Sequence, residues 1–378
     1  MKLLIPGPVE LDSEVLLAMA KPVMGHRTPD FEEILAECWR LLKYVYQTRN
    51  DVAIITGSGT SAMEAAVASV IKEGDEVVSI TGGKFGERLG EIAAAFGAKV
   101  RKVEVEWGRT FAIEEVEKAI AESNATAITL THNETSTGVV HDARAIGRLA
   151  REYDLLFIAD CITSVGGDEV KTDEWGIDLC ITGSQKCLAA PPGLGFVAVS
   201  ERAWEAIESN AGKRAYYLDL AKYRKSLAKR TTPFTPSVTL IYGLHAALKK
   251  IEEETLEARI RRHRTLAEAT RKAAEAMNLE LFAEQRCASN TVTAIKIPAK
   301  LSDDDVRGAL KREHGILVAG GQAQLKGRIF RIGHMGNVRF GDLAQVLSAL
   351  ELVLQKAGHE LEPGAGVAAA EEVFSREG

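Results

Sequence analysis

Lys186 lies in a stretch whose residue types favour amine chemistry, "DLCITGSQKCLAAPPGLG", residues 178–195. The apolar run from Leu179 to Thr182 predicts a buried strand, which leads into a polar segment and then a turn at 191–193. A lysine at a sheet edge beside a cavity can be partly desolvated, which lowers its pKa and lets its amine form a Schiff base with an aldehyde cofactor. Pyridoxal phosphate is such a cofactor. The alternative is a surface lysine in a loop, the commoner environment of this residue.

A second segment, "DVAIITGSGTSAMEAAV", has the composition of a phosphate cup. It predicts a strand ending at Thr56, a glycine turn and a helix of small residues from about 60 to 71. Gly57 and Gly59 let backbone N–H groups and the helix N-terminus converge on one point, with the Ser58 and Thr60 hydroxyls beside them. This arrangement suits a phosphate dianion.

The same glycines also match the loose dinucleotide fingerprint Gly57-x-Gly59-x-x-Ala62, which is a weak signal alone. That fingerprint needs an acidic residue at the end of the following strand. Here Asp75 and Glu76 precede the strand instead. The sequence therefore disfavours a nicotinamide oxidoreductase.

Strands and helices alternate from residue 77 to residue 200, which predicts a mostly parallel sheet with ligands bound beyond the carboxyl ends of its strands. Polar residues cluster at those ends: 133–136 follow one strand, Asp160 follows "LLFIA", and Gln185 and Lys186 follow another. Asp160 is either a strand-end cap or the partner of a cation, because an acid at the end of so apolar a run is costly unless it is paired. A protonated pyridine nitrogen is such a cation.

The sequence predicts the positions of most strands and helices. The strands expected within this alternation are 77–80, 100–105, 127–131, 155–159, 179–182 and 196–199, with helices at about 86–96, 113–122 and 142–152. A long helical pattern at 238–277 then leads to a small C-terminal α/β domain. The tail from Glu360 is expected to be peripheral and to fray. Pro6-Gly7-Pro8 fixes an extended turn near the N-terminus, and Gly25-His26-Arg27 forms a loop that is either ligand-binding or merely solvated.

Composition narrows the class of protein. Charged residues make up 26% and hydrophobic residues 46% of 378 positions, as in soluble globular proteins of about two domains. A net charge of −6 argues against nucleic acid, and the basic cluster at 259–264 is interpreted as a solvated helix face. Five cysteines without a Cys-x-x-Cys pair indicate neither disulfides nor a metal site. No membrane span or leader is visible, so a cytoplasmic protein is expected.

Taken together, these segments resemble the class V pyridoxal phosphate aminotransferases of fold type I, most closely the alanine–glyoxylate and serine–pyruvate aminotransferases. The likeness extends to about residue 357 and follows the family's order. The segments that carry it are "PGPV", "QTRN", "GSGTSAMEAAV", "THNETSTGV", "ADCITSVGG", "WGIDLCITGSQKCLAAPPG", "TPSVTLIYGL" and "FRIG". The resemblance implies a large domain with a mostly parallel seven-stranded sheet (21–255), a smaller α/β domain (256–357), an N-terminal arm (1–20) and a tail (358–378).

The resemblance also implies roles for individual residues. Lys186 would hold the cofactor covalently and Asp160 would face its pyridine nitrogen. The remaining cofactor-binding positions would be Ser58, Gly59, Thr60, Phe85, Thr135, Gln185, Thr232 and Thr235, of which Thr235 would reach the site from a partner subunit. Arg331 would bind the substrate carboxylate, and Gly7, Gly25 and His26 would line the substrate site. Phe85 replaces a tryptophan, and Thr232 a tyrosine, that many relatives carry.

The implied function is ping-pong transfer of an amino group between a small L-amino acid (alanine, serine or aspartate) and a 2-oxo acid (glyoxylate, pyruvate or 2-oxoglutarate) by a homodimer with composite sites. A lyase or cysteine desulfurase of the same fold is one alternative. Desulfurases resemble one another in a histidine directly before the lysine and in a cysteine on a mobile loop, whereas Gln185 precedes Lys186 here. A non-catalytic assembly subunit is the other alternative.

Overall fold

The computed structural model describes residues 1–210 and 215–377. Within these residues the chain alternates strands and helices through its first half. The strands are β1 (Lys2–Leu4), β2 (Asp51–Thr56), β3 (Glu76–Thr81), β4 (Lys99–Glu104), β5 (Ala125–Thr131), β6 (Asn133–Glu134), β7 (Val139–Val140), β8 (Leu156–Asp160), β9 (Leu179–Gly183), β10 (Leu194–Val199), β11 (Val292–Lys296), β12 (Ile316–Gly320) and β13 (Ile329–Gly333).

The α-helices of the described residues cover both faces of the larger sheet and one side of the smaller. They are α1 (Ser13–Met19), α2 (Pro29–Tyr46), α3 (Gly59–Val70), α4 (Lys84–Ala95), α5 (Ile113–Ala121), α6 (Ala143–Glu152), α7 (Glu201–Ser209), α8 (Leu220–Leu227), α9 (Val238–Glu254), α10 (Leu256–Ala276), α11 (Ala309–His314), α12 (Phe340–Lys356) and α13 (Ala365–Glu377). Among residues 1–210 and 215–377, no helix combines the length and hydrophobicity that a bilayer crossing requires.

The larger sheet has seven strands in the order β2-β10-β9-β8-β5-β3-β4. All neighbours are parallel except at β10, which runs antiparallel to both β2 and β9. Its central strands are buried on both faces, with one hydrophobic cluster on each side. The predicted fold, a mostly parallel seven-stranded sheet with a smaller C-terminal α/β domain, is confirmed.

The carboxyl ends of β5, β8 and β9 meet at one edge of this sheet. Thr131 pairs with Asp160, and Asp160 pairs with Ile181, so these strand ends are neighbours. The N-terminus of α3 packs directly on β10 at the same edge, where a side chain at Gly195 would meet the Ser58 carbonyl oxygen at 2.7 Å. This close approach brings the glycine turn of the phosphate cup to the strand ends.

The smaller sheet has four strands in the order β1-β12-β13-β11. Its first strand comes from the N-terminus: Lys2–Leu4 pairs in parallel with 316–318, and Leu4 is fully buried in the small domain's hydrophobic cluster. The segment predicted as an N-terminal arm therefore begins inside the smaller sheet before it crosses to the larger one. β13 lies between β12 and β11 and carries Arg331 at its centre.

The helical pattern predicted over 238–277 consists of two helices. α9 ends at Glu254 and α10 begins at Leu256, because Thr255 between them has a φ of 65° that an α-helix cannot accommodate. The interpretation of 259–264 as a solvated helix face is wrong in part. Arg259 is 2% exposed and pairs with Glu254, whereas Arg261 and Arg264 are exposed as expected.

The tail was expected to fray, and this expectation is wrong over 365–377, where α13 packs against α10 and α12. Its first turn is held by the buried Glu351, whose carboxylate accepts the backbone N–H groups of Gly364 at 3.0 Å and Gly366 at 2.6 Å. A carboxylate at a helix N-terminus satisfies donors that would otherwise lack partners. Ala370 is fully buried, so this helix completes the core of the small domain.

Candidate active site

A cavity of about 530 Å³, including its open mouth, lies at the carboxyl edge of the larger sheet. The predicted site residues that line it are Ser58, Gly59, Thr60, Phe85, Thr135, Asp160, Gln185 and Lys186. They come from the start of α3, from α4, from the end of β8 and from the segments after β6 and β9. The cavity therefore gathers all of the predicted catalytic residues and most of the cofactor-binding ones.

Lys186 enters the cavity from the segment that follows β9. Its Nζ donates a hydrogen bond to the carbonyl oxygen of Pro6, and the Gly7 backbone packs against the same amine. A Cβ at Gly7 would lie 2.8 Å from Nζ, and the residue has a φ of 91°, so only glycine fits there. Burial, with a smaller contribution from the positive charges of Arg331 and Arg88, lowers the pKa of Lys186 to about 8. The amine is therefore far more often neutral than that of an exposed lysine.

Asp160 ends β8 and is buried in the cavity wall. Its Oδ1 accepts the N–H of Ile162 at 2.9 Å, and its Oδ2 accepts only a long hydrogen bond of 3.5 Å from the Thr131 hydroxyl. Burial and the nearby charge of Glu134 raise the pKa of Asp160 to about 7. No ion pair to this carboxylate is found among residues 1–210 and 215–377, so Oδ2 is free to meet a cationic N–H in the cavity.

The phosphate cup is formed by the first turn of α3. Gly59 and Thr60 are its first residues, so their N–H groups have no partner within the helix. The carboxamide of Gln185 lines the same end of the cavity, and its buried Oε1 has no hydrogen-bond partner in the described residues. A helix N-terminus, a lysine of lowered pKa and a lone buried carboxylate thus share one cavity. This set of groups fits pyridoxal phosphate, which has a phosphate, an aldehyde and a pyridine nitrogen.

Phe85 is held in the cavity wall by Glu134, whose role the sequence did not reveal. The buried carboxylate of Glu134 accepts the backbone N–H groups of Phe85 and Gly86, each at 2.9 Å, and the Ser136 hydroxyl at 2.6 Å. These bonds fix the first turn of α4, and with it the backbone that carries the Phe85 ring. Burial raises the pKa of Glu134, although the hydrogen bonds oppose the rise.

Sequence reasoning missed Arg88, Met63, Ile162 and Thr163 as lining residues. Arg88 lies one helical turn after Phe85, and its guanidinium carbon lies 5.0 Å from the centre of that ring. The spacing of three residues on α4 was the available signal. Met63 could have been found in the same way, because it lies one turn after Thr60 on α3.

Arg331 does not line the cavity itself but adjoins it. Its Nη1 donates to the Thr135 carbonyl oxygen at 2.7 Å, and its Nε and Nη2 donate to the Gly320 carbonyl oxygen at 3.0 and 2.6 Å. The described residues offer it no ion-pair partner, and burial lowers its pKa to about 10. A guanidinium has five N–H groups, so these three bonds leave two for a ligand.

The other predicted site residues lie apart from the cavity of their own chain. Arg27 donates to the Thr231 hydroxyl and, at 2.8 Å, to the Thr232 carbonyl oxygen, which joins two loops. We call residues 25–27 and 231–235 the loop patch. Gly25 and Thr235 are exposed, His26 is half-buried, and Thr232 is buried with its hydroxyl bonded to the Phe234 carbonyl oxygen.

The sequence matches one family model, described as "Aminotransferase class-V", over residues 14–346. It is 46% identical over 377 residues to an uncharacterised aminotransferase of Methanocaldococcus jannaschii, covering 99% of this chain and 98% of the relative. It is also 44% identical over 379 residues to a protein named as the small subunit of soluble hydrogenase in Synechococcus, covering 99% and 98%.

Among solved structures, the fold matches that of ureidoglycine–glyoxylate aminotransferase from Bacillus subtilis. The TM-score is 0.95 at 37% sequence identity, and the match covers 99% of this chain and 97% of the other. The similarity therefore extends over both sheets and includes the segments that form the cavity.

Proposed function

This chain belongs to the class V aminotransferase family, close to the glyoxylate aminotransferases, and from this premise we propose that it transfers amino groups between a small L-amino acid and a 2-oxo acid. The family depends on pyridoxal phosphate. Alanine, serine or aspartate is the proposed donor, and glyoxylate, pyruvate or 2-oxoglutarate the proposed acceptor. The observation that carries this proposal is the meeting of Lys186 and Asp160 in one cavity beside Arg331.

Pyridoxal phosphate, when bound, supplies an aldehyde carbon for the substrate amine and a ring that withdraws electrons from the substrate Cα. The residues of this chain do the rest. Lys186 Nζ, whose pKa burial lowers to about 8, would take the proton from the substrate Cα as a base and would deliver it, as an acid, to the carbon that the cofactor's aldehyde supplies. Asp160 Oδ2 would accept a hydrogen bond from the ring N–H and would keep that nitrogen protonated. Phe85, which lines the cavity, would cover the ring and exclude water.

Arg331 is proposed to bind the substrate α-carboxylate with the two N–H groups that its carbonyl partners leave free. A planar guanidinium can bind a carboxylate through two parallel hydrogen bonds, which a lysine cannot copy. Its contact with the Thr135 carbonyl oxygen places it beside the cavity wall.

A panel of half-reactions tests the proposal. The purified holoenzyme is mixed with single amino acids, and the loss of visible cofactor absorption is followed. Single 2-oxo acids are then added, and its return is followed. We expect at least one of the three proposed donors to bleach the absorption and at least one proposed acceptor to restore it. A holoenzyme whose absorption no amino acid changes would contradict the proposal.

We also propose a homodimer in which the loop patch of one subunit completes the cavity of the other. Support comes from its position, since the patch holds four predicted site residues but does not line its own chain's cavity. Val23, beside this patch, is 70% exposed, and Leu16 and Leu17 on α1 are 53% and 69% exposed. Exposed apolar side chains that lie together often mark a subunit interface.

The cavity and its cysteine distinguish amino transfer from two other functions. A role as a hydrogenase subunit is favoured by the name of the Synechococcus relative, but a purely structural subunit would have no need of so complete a donor set. A desulfurase requires an accessible cysteine. Cys187 is buried, its thiol donates to the Thr163 carbonyl oxygen at 3.2 Å, and burial raises its pKa to about 12. The half-reactions separate amino transfer from both alternatives.

A further inference from the structure

An ion cluster lies at the corner between α9 and α10, outside the cavity. The carboxylate of Glu254 sits among the guanidinium groups of Arg259, Arg262 and Arg339. Arg259 Nη1 donates to Glu254 Oε2 at 2.8 Å, and Arg262 binds both oxygens, at 2.5 Å and 3.0 Å. Burial alone would raise the pKa of Glu254, but the hydrogen bonds and positive charges of Arg262 and Arg259 lower it to about 2. The cluster is therefore fully ionised at neutral pH.

Arg259 connects this cluster to the segment that carries Lys186. Its Nη2 donates to the Cys187 carbonyl oxygen at 2.7 Å, and its Nε donates to the Gly166 carbonyl oxygen at 3.1 Å. Cys187 directly follows Lys186. Arg259 is only 2% exposed, so the backbone next to the amine is held by a buried guanidinium that bonds through all three of its nitrogens.

Arg262, one helical turn later, connects the same cluster to the small domain. Its Nη1 donates to the Val338 carbonyl oxygen at 2.7 Å, and its Nη2 donates to the Gly336 carbonyl oxygen at 3.0 Å. Both carbonyls belong to the segment that follows β13, the strand that carries Arg331. One helical turn of α10 therefore bonds both to the backbone next to Lys186 and to the backbone that follows the strand of Arg331.

We propose that Arg259, Glu254 and Arg262 are positioning residues that set the separation between the Lys186 amine and the Arg331 guanidinium. The inference rests on the proposed function, because these two groups must reach the Cα proton and the α-carboxylate of one small substrate. A displacement of about 1 Å can cost a factor of 100 in rate. A carboxylate shared between two forked guanidiniums restricts such displacement, because each hydrogen bond depends on direction as well as distance.

The first test compares Arg262→Gln with Arg261→Gln. Arg261 is the exposed neighbour on α10, so the control removes the same charge without touching the cluster. For Arg262→Gln we expect kcat/KM of the amino-acid half-reaction to fall about tenfold, because Arg331 shifts relative to Lys186. The half-reaction with an amine that lacks a carboxylate is expected to stay within about twofold, since that substrate does not use Arg331. Arg261→Gln is expected to match the wild type with both substrates.

An equal fall for the amine and the amino acid, or no fall for either, would overturn the proposal. The melting temperature of each holoenzyme is measured alongside. A merely structural cluster would lower the melting temperature of Arg262→Gln and leave the ratio of the two half-reactions unchanged.

The second test uses Arg259→Lys, which keeps a charge at the buried position but loses the fork. We expect the midpoint of the pH titration of the Lys186-bound cofactor, read from its visible absorption, to shift in Arg259→Lys and to stay fixed in Arg262→Gln. Identical midpoints in Arg259→Lys and wild type would count against positioning of Lys186. This titration needs only bound cofactor, so it can fail or succeed independently of amino transfer. The inference and the proposed function are thereby tested separately.

Discussion

The cavity and the loop patch contain residues predicted from the same resemblance, yet they differ in the elements that carry those residues and in their exposure to solvent. The cavity is built at the ends of buried strands, and its carboxylate and amine are held by backbone hydrogen bonds. The loop patch lies on two connecting segments, and Gly25 and Thr235 are exposed. The difference fits the proposed dimer, in which one chain supplies the groups that do the chemistry and the loop patch of a second chain completes cofactor binding.

The largest effect is expected for Lys186→Ala, which should abolish amino transfer and cofactor trapping by borohydride. No other described lysine lines the cavity, so no amine can substitute. The measurement is the half-reaction assay, together with peptide mapping of borohydride-reduced wild type. Lys84→Ala, at the start of α4, serves as a control that should retain the label. A label on any lysine other than 186 would contradict the assignment.

The comparison between the two regions is tested directly by mixing inactive chains. Thr235→Glu places a negative charge where the phosphate of the partner's cofactor is proposed to lie. A refolded equal mixture of Lys186→Ala and Thr235→Glu chains should recover about a quarter of wild-type activity, because half of the dimers have one intact site. The matched control mixes wild type with the double variant Lys186→Ala/Thr235→Glu, whose hybrid dimers have no intact site. Because wild-type homodimers also form in the control, shared sites predict about a quarter of wild-type activity in both mixtures, whereas self-contained sites would give none in the first mixture and about half in the control.

Asp160→Asn should retain the cofactor but slow turnover by roughly a factor of 100 to 1,000, the usual cost of losing one preorganised electrostatic partner. The amide cannot hold a ring nitrogen in its protonated form. Turnover is measured at saturating cofactor, and bound cofactor is measured by absorption. Asp154→Asn, which alters an exposed carboxylate shortly before β8, is the control. Near-normal turnover in Asp160→Asn would restore the interpretation of Asp160 as a strand-end cap.

Arg331→Lys should lower kcat/KM for every amino acid by about 10- to 150-fold, which corresponds to roughly 1.5–3 kcal/mol for a lost charge-assisted contact. Cofactor binding should not change, and amines without a carboxylate should react as in the wild type. The same half-reaction assay measures all three. If amines and amino acids lose activity equally, Arg331 supports the structure rather than the substrate.

A further expected effect concerns pH and requires no substitution. Because burial lowers the pKa of Lys186 to about 8, the neutral amine becomes scarce only below that pH. The rate at which apoprotein takes up pyridoxal phosphate should rise about tenfold per pH unit up to about pH 8 and then level off. Stopped-flow absorption across pH 6–10 measures it. A rate that continues to rise to pH 10 would indicate an amine as basic as that of an exposed lysine.

The sequence predicted the residues that end buried strands but not those that act through tertiary contacts. Lys186 and Asp160 could be found because a polar residue after an apolar run has few structural explanations. Glu134 and Arg259 could not, because their partners at Phe85 and Cys187 are far away along the chain. From the sequence alone, a charged residue is predicted to be solvated, because its buried partners are not visible there.

The topology of the two sheets was likewise predictable only where the sequence carries a local signal. The parallel strands were predicted from the alternation with helices. The antiparallel direction of β10 had only one local signal, the short connection after β9 that leaves no room for a helix. No local signal in the sequence predicted that β1 belongs to the smaller sheet. Three residues at the N-terminus pair with a strand more than 300 positions later, and no local pattern encodes such a pairing.

That pairing has a consequence for how the protein is made. The Pro6 carbonyl and the Gly7 backbone form part of the environment of the Lys186 amine, but β1 is anchored on β12, at 316–318. A ribosome that adds about 5–20 residues per second needs at least about 15 s to reach β12 after it has made β1. The β1 segment is therefore made long before the strand that fixes it, and the wall of the cavity beside the amine closes only after β12 has been made.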